Sequence, residues 1–297
     1  MFPRAPGERG PLTRPALLLA AVALATGCGS AAPEAGSSRP VGQPADRIVL
    51  PFDDYRLTAG DVAVIQAAEG ELMRQCMERA GHSWTRPPAR TAAGAAGDPG
   101  AASGGNDRRY GVADESTARR HGYHVPDDPR EARDLKAQRS WLAALGPAEE
   151  RTLLGEGGCA DEAAARLSAG GAVPGAEWFT AYDFASVDAS AAAPPVRSAV
   201  SRWRTCMSER GFDYDTPLAA IEDRSWNLDA KRVTSREISV AVADVGCKRE
   251  SDLVAVRAAA ETGIQRDLIA REPGRFRELK RDLERYRHNA DKALNGG

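Results

Sequence analysis

Apolar residues recur along this chain at steps of three and four, the period of an amphipathic helix. The pattern is clear over Val196, Val200, Trp203 and Met207, where Pro194-Pro195 suits a helix start and Gly211 a left-handed stop. Val62, Ile65, Leu72, Cys76 and Ala80 fit the same period, with Thr58 and Asp61 as an N-terminal capping pair and Gly81 after the last turn. Further helices are predicted over 115–121, from Asp128-Pro129 to near Leu145, around 147–154, and from Cys159 to near Leu167. Trp178, Phe179 and Tyr182 share one face of another near 176–185, a spacing that suits core packing. A short helix follows Pro217. Thr234 and Glu237 form a capping box before a long helix that is apolar on two sides, through Ile238, Val240, Val242, Val245, Cys247 and Val254, and continues to Leu268. Pro273-Gly274 kinks or turns the chain, and Phe276, Leu279, Leu283, Tyr286 and Ala290 mark a final amphipathic helix. No strand-like alternation of any length occurs. The expected fold class is mainly α.

Two of these helices end on one motif. Arg74-Gln75-Cys76-Met77 and Arg204-Thr205-Cys206-Met207 are each followed, after three residues, by glycine (Gly81, Gly211) and then by an aromatic residue three positions on (Trp84, Tyr214). A proline lies six residues past each glycine, at Pro87 and Pro217, and the offset is 130 positions throughout. Gly158-Cys159 and Gly246-Cys247 give a weaker second echo. These repeats predict two diverged, disulfide-stapled helical units, 48–172 and 173–297, the second with a long C-terminal helix pair. Residues 87–107 are rich in proline, alanine and glycine and read as a disordered surface loop.

The N-terminus changes the picture from a helical protein to an exported one. Arg4, Arg9 and Arg14 precede the apolar run Ala16–Ala25, which is too short to span a bilayer comfortably and leads into small residues. That order is a signal peptide, residues 1–27. Its end, Leu24-Ala25-Thr26-Gly27-Cys28, resembles the lipobox of bacterial lipoproteins, although Ala25 stands where leucine is commoner. The resemblance implies cleavage after Gly27 and a thioether-linked diacylglycerol on Cys28, with palmitate among the acyl chains. Removing Arg4, Glu8, Arg9 and Arg14 takes the formal charge from −2 to −4. Residues 28–47 then form a Gly-, Ser-, Ala- and Pro-rich tether with a reach of roughly 24 Å.

Four cysteines remain: Cys76, Cys159, Cys206 and Cys247. An even number in an exported chain reads as disulfides, and four allow three pairings. The repeat selects Cys76–Cys159 and Cys206–Cys247, because each unit then closes on itself. A zinc site is disfavoured, since no two cysteines have metal-finger spacing.

Other residues with chemical potential are better explained structurally. Asp53-Asp54 suits a capped turn. His121 and His124 are separated by the helix-breaking Gly122. Asp213 and Asp215 suit a turn as well. No catalytic residue, metal ligand or cofactor is expected, and no basic run points to nucleic acid. No nucleophile elbow, zinc-protease helix or phosphate loop occurs.

The mature chain as a whole resembles a group of exported actinobacterial lipoproteins without an assigned activity. The residues that carry this are the two Cys-Met stretches, Tyr110-Gly111-Val112, Gly122-Tyr123-His124, Gly158-Cys159 and Ala243-Asp244-Val245-x-Cys247-Lys248. It implies export and disulfides and assigns no active-site residue. The expectation is a cell-membrane lipoprotein on the extracytoplasmic face, anchored through Cys28, binding or scaffolding an envelope protein or glycan. The alternative is an envelope hydrolase acting on wall material.

Overall fold

The computed structural model describes residues 48–85, 87–88, 106–126, 129–169 and 177–296. The signal peptide, Cys28, the tether and most of the 87–107 stretch lie outside them.

A short 3₁₀ turn, Pro51–Tyr55, opens the body. It is followed by helices α1 (Ala59–Arg79), α2 (Glu115–His121), α3 (Pro129–Ala143), α4 (Pro147–Leu154), α5 (Cys159–Ser168) and α6 (Glu177–Ala191). The second half adds α7 (Pro194–Glu209), α8 (Pro217–Ile221), α9 (Ser235–Glu250), α10 (Leu253–Arg271) and α11 (Pro273–Asn295). The described residues are mostly helical with no strand among them, in keeping with the apolar periodicity.

The two motif helices end identically. Gly81 and Gly211 take φ of 84° and 81°, a region that side-chain-bearing residues rarely occupy. His82 N–H donates to Met77 O and Phe212 N–H to Met207 O, each at 3.0 Å. Gly81 N–H donates to Glu78 O and Gly211 N–H to Ser208 O. Both are Schellman stops, which satisfy the last free carbonyls of the helix. At the other end of α1, Thr58 and Asp61 exchange the reciprocal bonds of a capping box.

Two expectations change. The helix read as continuous from Thr234 to Leu268 breaks between α9 and α10. Asp252 turns left-handed there, at φ 55°, a conformation that aspartate tolerates better than most residues. Thr234 caps α9 by accepting from Glu237 N–H at 3.1 Å, but the Glu237 side chain does not return the bond. It is buried and engaged elsewhere.

Pro273, which cannot donate to α10, starts α11 directly. The chain leaves in a new direction. α10 packs against α6 and α7, whereas α11 packs against α1 and α5. α11 therefore returns to the first Cys-Met helix and buries Tyr286 and Ala290 with Ile65, Leu72 and Leu167. In the other direction, α2 from the first half lies on α9. Its Ala118 joins the core around Trp203, Met207, Val240 and Cys247. A third cluster, Phe52, Phe179, Phe276, Leu279 and Leu283, joins the opening turn to α6 and α11. Segments 48–172 and 173–297 thus interlock, and the described residues fall in one compact unit.

Candidate functional site

The predicted cysteine pairs are both formed. Cys76 bonds Cys159 and Cys206 bonds Cys247, with Cα separations of 5.5 and 5.6 Å, inside the usual range. A second feature repeats beside them. Arg79 pairs with Glu162 at 2.6 Å, and Arg210 pairs with Glu250. Each glutamate stands three residues past the second cysteine of its bridge. So an arginine at the end of each Cys-Met helix, three or four residues past its cysteine, pairs with a glutamate one turn beyond the partner cysteine. In the second copy Arg210 Nη1 also lies 3.0 Å from the Cys247 sulfur and 3.1 Å from Ala243 O.

The second site is a polar clasp around residues 106–124. Glu261 on α10 is completely buried. It accepts from Arg109 Nε at 2.9 Å, Tyr110 Oη at 2.7 Å, Ser186 Oγ at 2.8 Å and Gln265 Nε2 at 3.0 Å. Asp183 on α6 takes Arg109 at 2.6 Å and Arg56 at 2.7 Å. Burial disfavours the Arg109 cation, but the bonds to Glu261 and Asp183 outweigh it and hold its pKa above the ordinary value. Burial disfavours the Asp183 anion too, and its two arginines more than offset that. Burial and the Glu261 carboxylate together push the Tyr110 hydroxyl well up, so it stays protonated as the donor.

One layer away, Lys248 Nζ donates to Val112 O and to Asp244, each at 2.9 Å. Trp203 Nε1 donates to the other Asp244 oxygen at 2.9 Å. Burial raises the Asp244 pKa, with Lys248 as the largest opposing influence.

Beyond that, Glu237 Oε1 accepts from Tyr123 N–H at 2.8 Å and faces His124 Nδ1 at 2.9 Å. His124 Nε2 lies 3.2 Å from Asn227 O. With an acceptor at each ring nitrogen, the protonated ring can donate to both. Burial lowers its pKa, but Glu237 reverses the balance and raises it above 6.5. Gly122 makes the approach possible: its φ is 54°, and a Cβ there would stand 2.4 Å from Glu237 Oε1.

The stretches Tyr110-Gly111-Val112, Gly122-Tyr123-His124 and Asp244–Lys248 therefore converge on one clasp. Sequence reasoning named these stretches but missed Glu237, Glu261 and Asp183 as their partners. One local signal was readable: Asp244 and Lys248 stand at i,i+4 among the apolar Ala243, Val245 and Cys247 of α9. Chemically the clasp fastens a segment. Its carboxylates accept from donors inside the fold.

The remaining expectations resolve simply. Asp53 accepts from Leu50 N–H at 2.8 Å and from Asn106 Nδ2 at 2.9 Å, which caps the opening turn. His124 turns into the clasp, while His121 lies at the C-terminal end of α2, outside it. Trp178 and Phe179 pack on Phe276, with ring centroids 5.2 and 6.4 Å away. Asp213 and Asp215 are exposed, and Asp215 pairs with Arg204 at 3.0 Å. Among the described residues no cluster of three His, Cys, Asp or Glu could hold a metal, and no helix is long and apolar enough to cross a membrane.

The surface carries an open groove of about 350 Å3 where α2, α9 and the end of α7 meet. Phe212, Val242 and Ala243 line it with Arg210, Arg249 and Glu115. No protein-family model, curated protein or solved structure matches this chain.

Proposed function

We propose that this chain is an exported lipoprotein, held to the cell membrane through Cys28, whose helical body binds an envelope protein or glycan. Support for the anchor is the order of arginines, apolar run, small residues and Cys28. Support for binding rests on one observation. The buried carboxylates Glu237, Asp244 and Glu261 accept hydrogen bonds inside the fold and none of the three lines the open groove, while Glu115, which does, is paired with Arg119 and Arg249. A catalytic carboxylate needs a face toward substrate. A groove with apolar walls and charged rims suits a partner surface instead.

Affinity capture from solubilised envelope, with the lipidated wild-type chain beside an Arg249→Glu/Val242→Asp variant, tests this reading. A partner held by wild type and lost by the variant supports it. Capture that is the same for both would remove the groove as the binding site.

A further inference from the structure

α11 is amphipathic in charge as well as in hydrophobicity. It holds seven Lys and Arg against four Asp and Glu, in a chain whose formal charge is −2. Three of its cations are engaged: Arg275 with Glu272 and over the Trp178 ring, Arg285 with Asp282, and Arg287 with Asp61. Arg277, Lys280, Arg281 and Lys292 are exposed and form no ion pair among the described residues. Arg277, Arg281, His288 and Lys292 follow at steps of four, seven and four. At about 100° per residue this line points away from the buried stripe Phe276, Leu279, Leu283, Tyr286 and Ala290. Lys280 flanks it. Glu284 is a carboxylate on the same face, with Glu278 and Asp291 at its two edges, so four exposed cations stand against three carboxylates.

A second observation says what such a face meets. The chain enters the body beside this helix: the Phe52 and Tyr55 rings lie 5.4 and 4.9 Å from Phe276. Phe276 directly precedes Arg277. Between Cys28 and Ile48 there are only 19 residues, a root-mean-square reach of roughly 24 Å. On the anchor reading, a surface that holds Cys28 is separated from the described body by those 19 residues alone.

We infer that the outer face of α11 (Arg277, Lys280, Arg281 and Lys292) lies against the anionic headgroups of the membrane and sets the orientation of the tethered body. Each cation near an anionic surface is worth about fivefold in affinity. Four such contacts bind weakly alone but suffice once a tether fixes a high local concentration. The groove is lined from α2, α7 and α9, not α11, so this orientation leaves it available to a partner. The inference uses the anchor reading only to bring the face to the bilayer.

Flotation with lipid vesicles tests it independently of lipidation. The mature chain carrying Cys28→Ser is mixed with phosphatidylcholine vesicles, with or without phosphatidylglycerol. Binding to phosphatidylglycerol vesicles that falls with added salt is expected, as is a loss on the order of a hundredfold in Arg277→Glu/Lys280→Glu/Arg281→Glu. Circular dichroism and melting temperature verify that the variant is folded. Arg133→Glu/Arg139→Glu on α3 serves as the control for charge alone and should bind as wild type, apart from the non-specific effect of overall charge. Absence of phosphatidylglycerol-dependent binding, or equal losses in the α11 and α3 variants, overturns the inference. Lipid on Cys28 is read separately by mass spectrometry of the native chain, so either idea can fail without the other.

Discussion

His124 and Glu237 form a buried ion pair across 113 residues of sequence, Nδ1 to Oε1 at 2.9 Å. The proton on His124 is held more tightly in the folded chain than in the unfolded one. Stabilisation from this pair is therefore fully present below the ordinary histidine value of 6.5 and is lost as pH rises through the raised folded value. The melting temperature should fall from pH 6 toward pH 8 in wild type, and His124→Gln should flatten that slope. Equal slopes in both proteins would mean that His124 is not the group responsible.

Glu261 is the most heavily shared acceptor of the clasp. Glu261→Ala leaves the Tyr110 hydroxyl and part of the Arg109 fork without their acceptor in a dry setting, while Ser186 Oγ keeps Asp183 O. Removing one member of a buried, hydrogen-bonded ion pair costs about 3–5 kcal/mol. Urea unfolding should show that loss as a lower midpoint with an unchanged slope. A loss below about 1 kcal/mol would show that water reaches the site.

The helices were legible because their signals are local. Apolar steps, Thr58 with Asp61, Pro194 and Gly211 each act within a turn or two. The cysteine pairing was legible because a repeat supplied long-range information that spacing alone lacks. The clasp was not, since Arg109 and Glu261 are 152 residues apart and no local rule links them. Glu237 shows the conflict directly: its position three past Thr234 reads as a capping box, yet its side chain is taken by Tyr123 and His124. The return of α11 to α1 was hidden for a similar reason. An amphipathic stripe says that a helix is covered, not by what.

Two glycines separate backbone strain from crowding. Gly81 has φ 84° and nothing near its absent Cβ, so Gly81→Ala should cost only the left-handed conformation, about 1–2 kcal/mol. Gly122, at φ 54° and ψ −125°, lies in a region still less open to alanine, and Gly122→Ala adds a clash with Glu237 whose displacement would break the His124 pair. It should destabilise by at least about 2 kcal/mol more, and should also weaken the pH dependence of melting. If both variants melt alike, crowding at Gly122 is not the deciding factor.

Removing either disulfide should weaken the whole body, not one half of it. The loops closed are 83 and 41 residues long. Loop entropy makes the shorter bridge worth up to about 4 kcal/mol, with the longer one ahead by roughly 0.6 kcal/mol. The neighbouring pairs Arg79–Glu162 and Arg210–Glu250 are substantially exposed and cannot substitute for a bridge, since such pairs add about 0–1 kcal/mol. If the two repeats folded separately, Cys206→Ser/Cys247→Ser would melt only the second and give two transitions. The structure argues otherwise: α11 buries Tyr286 and Ala290 against the first Cys-Met helix, and α2 buries Ala118 against α9. Unfolding one repeat would strip apolar cover from the other. Differential scanning calorimetry of Cys76→Ser/Cys159→Ser and of Cys206→Ser/Cys247→Ser should each show one transition, shifted down by a similar amount, with losses of about 2–5 kcal/mol. A two-step melt in either variant would show that the interlocked helices do not couple the halves.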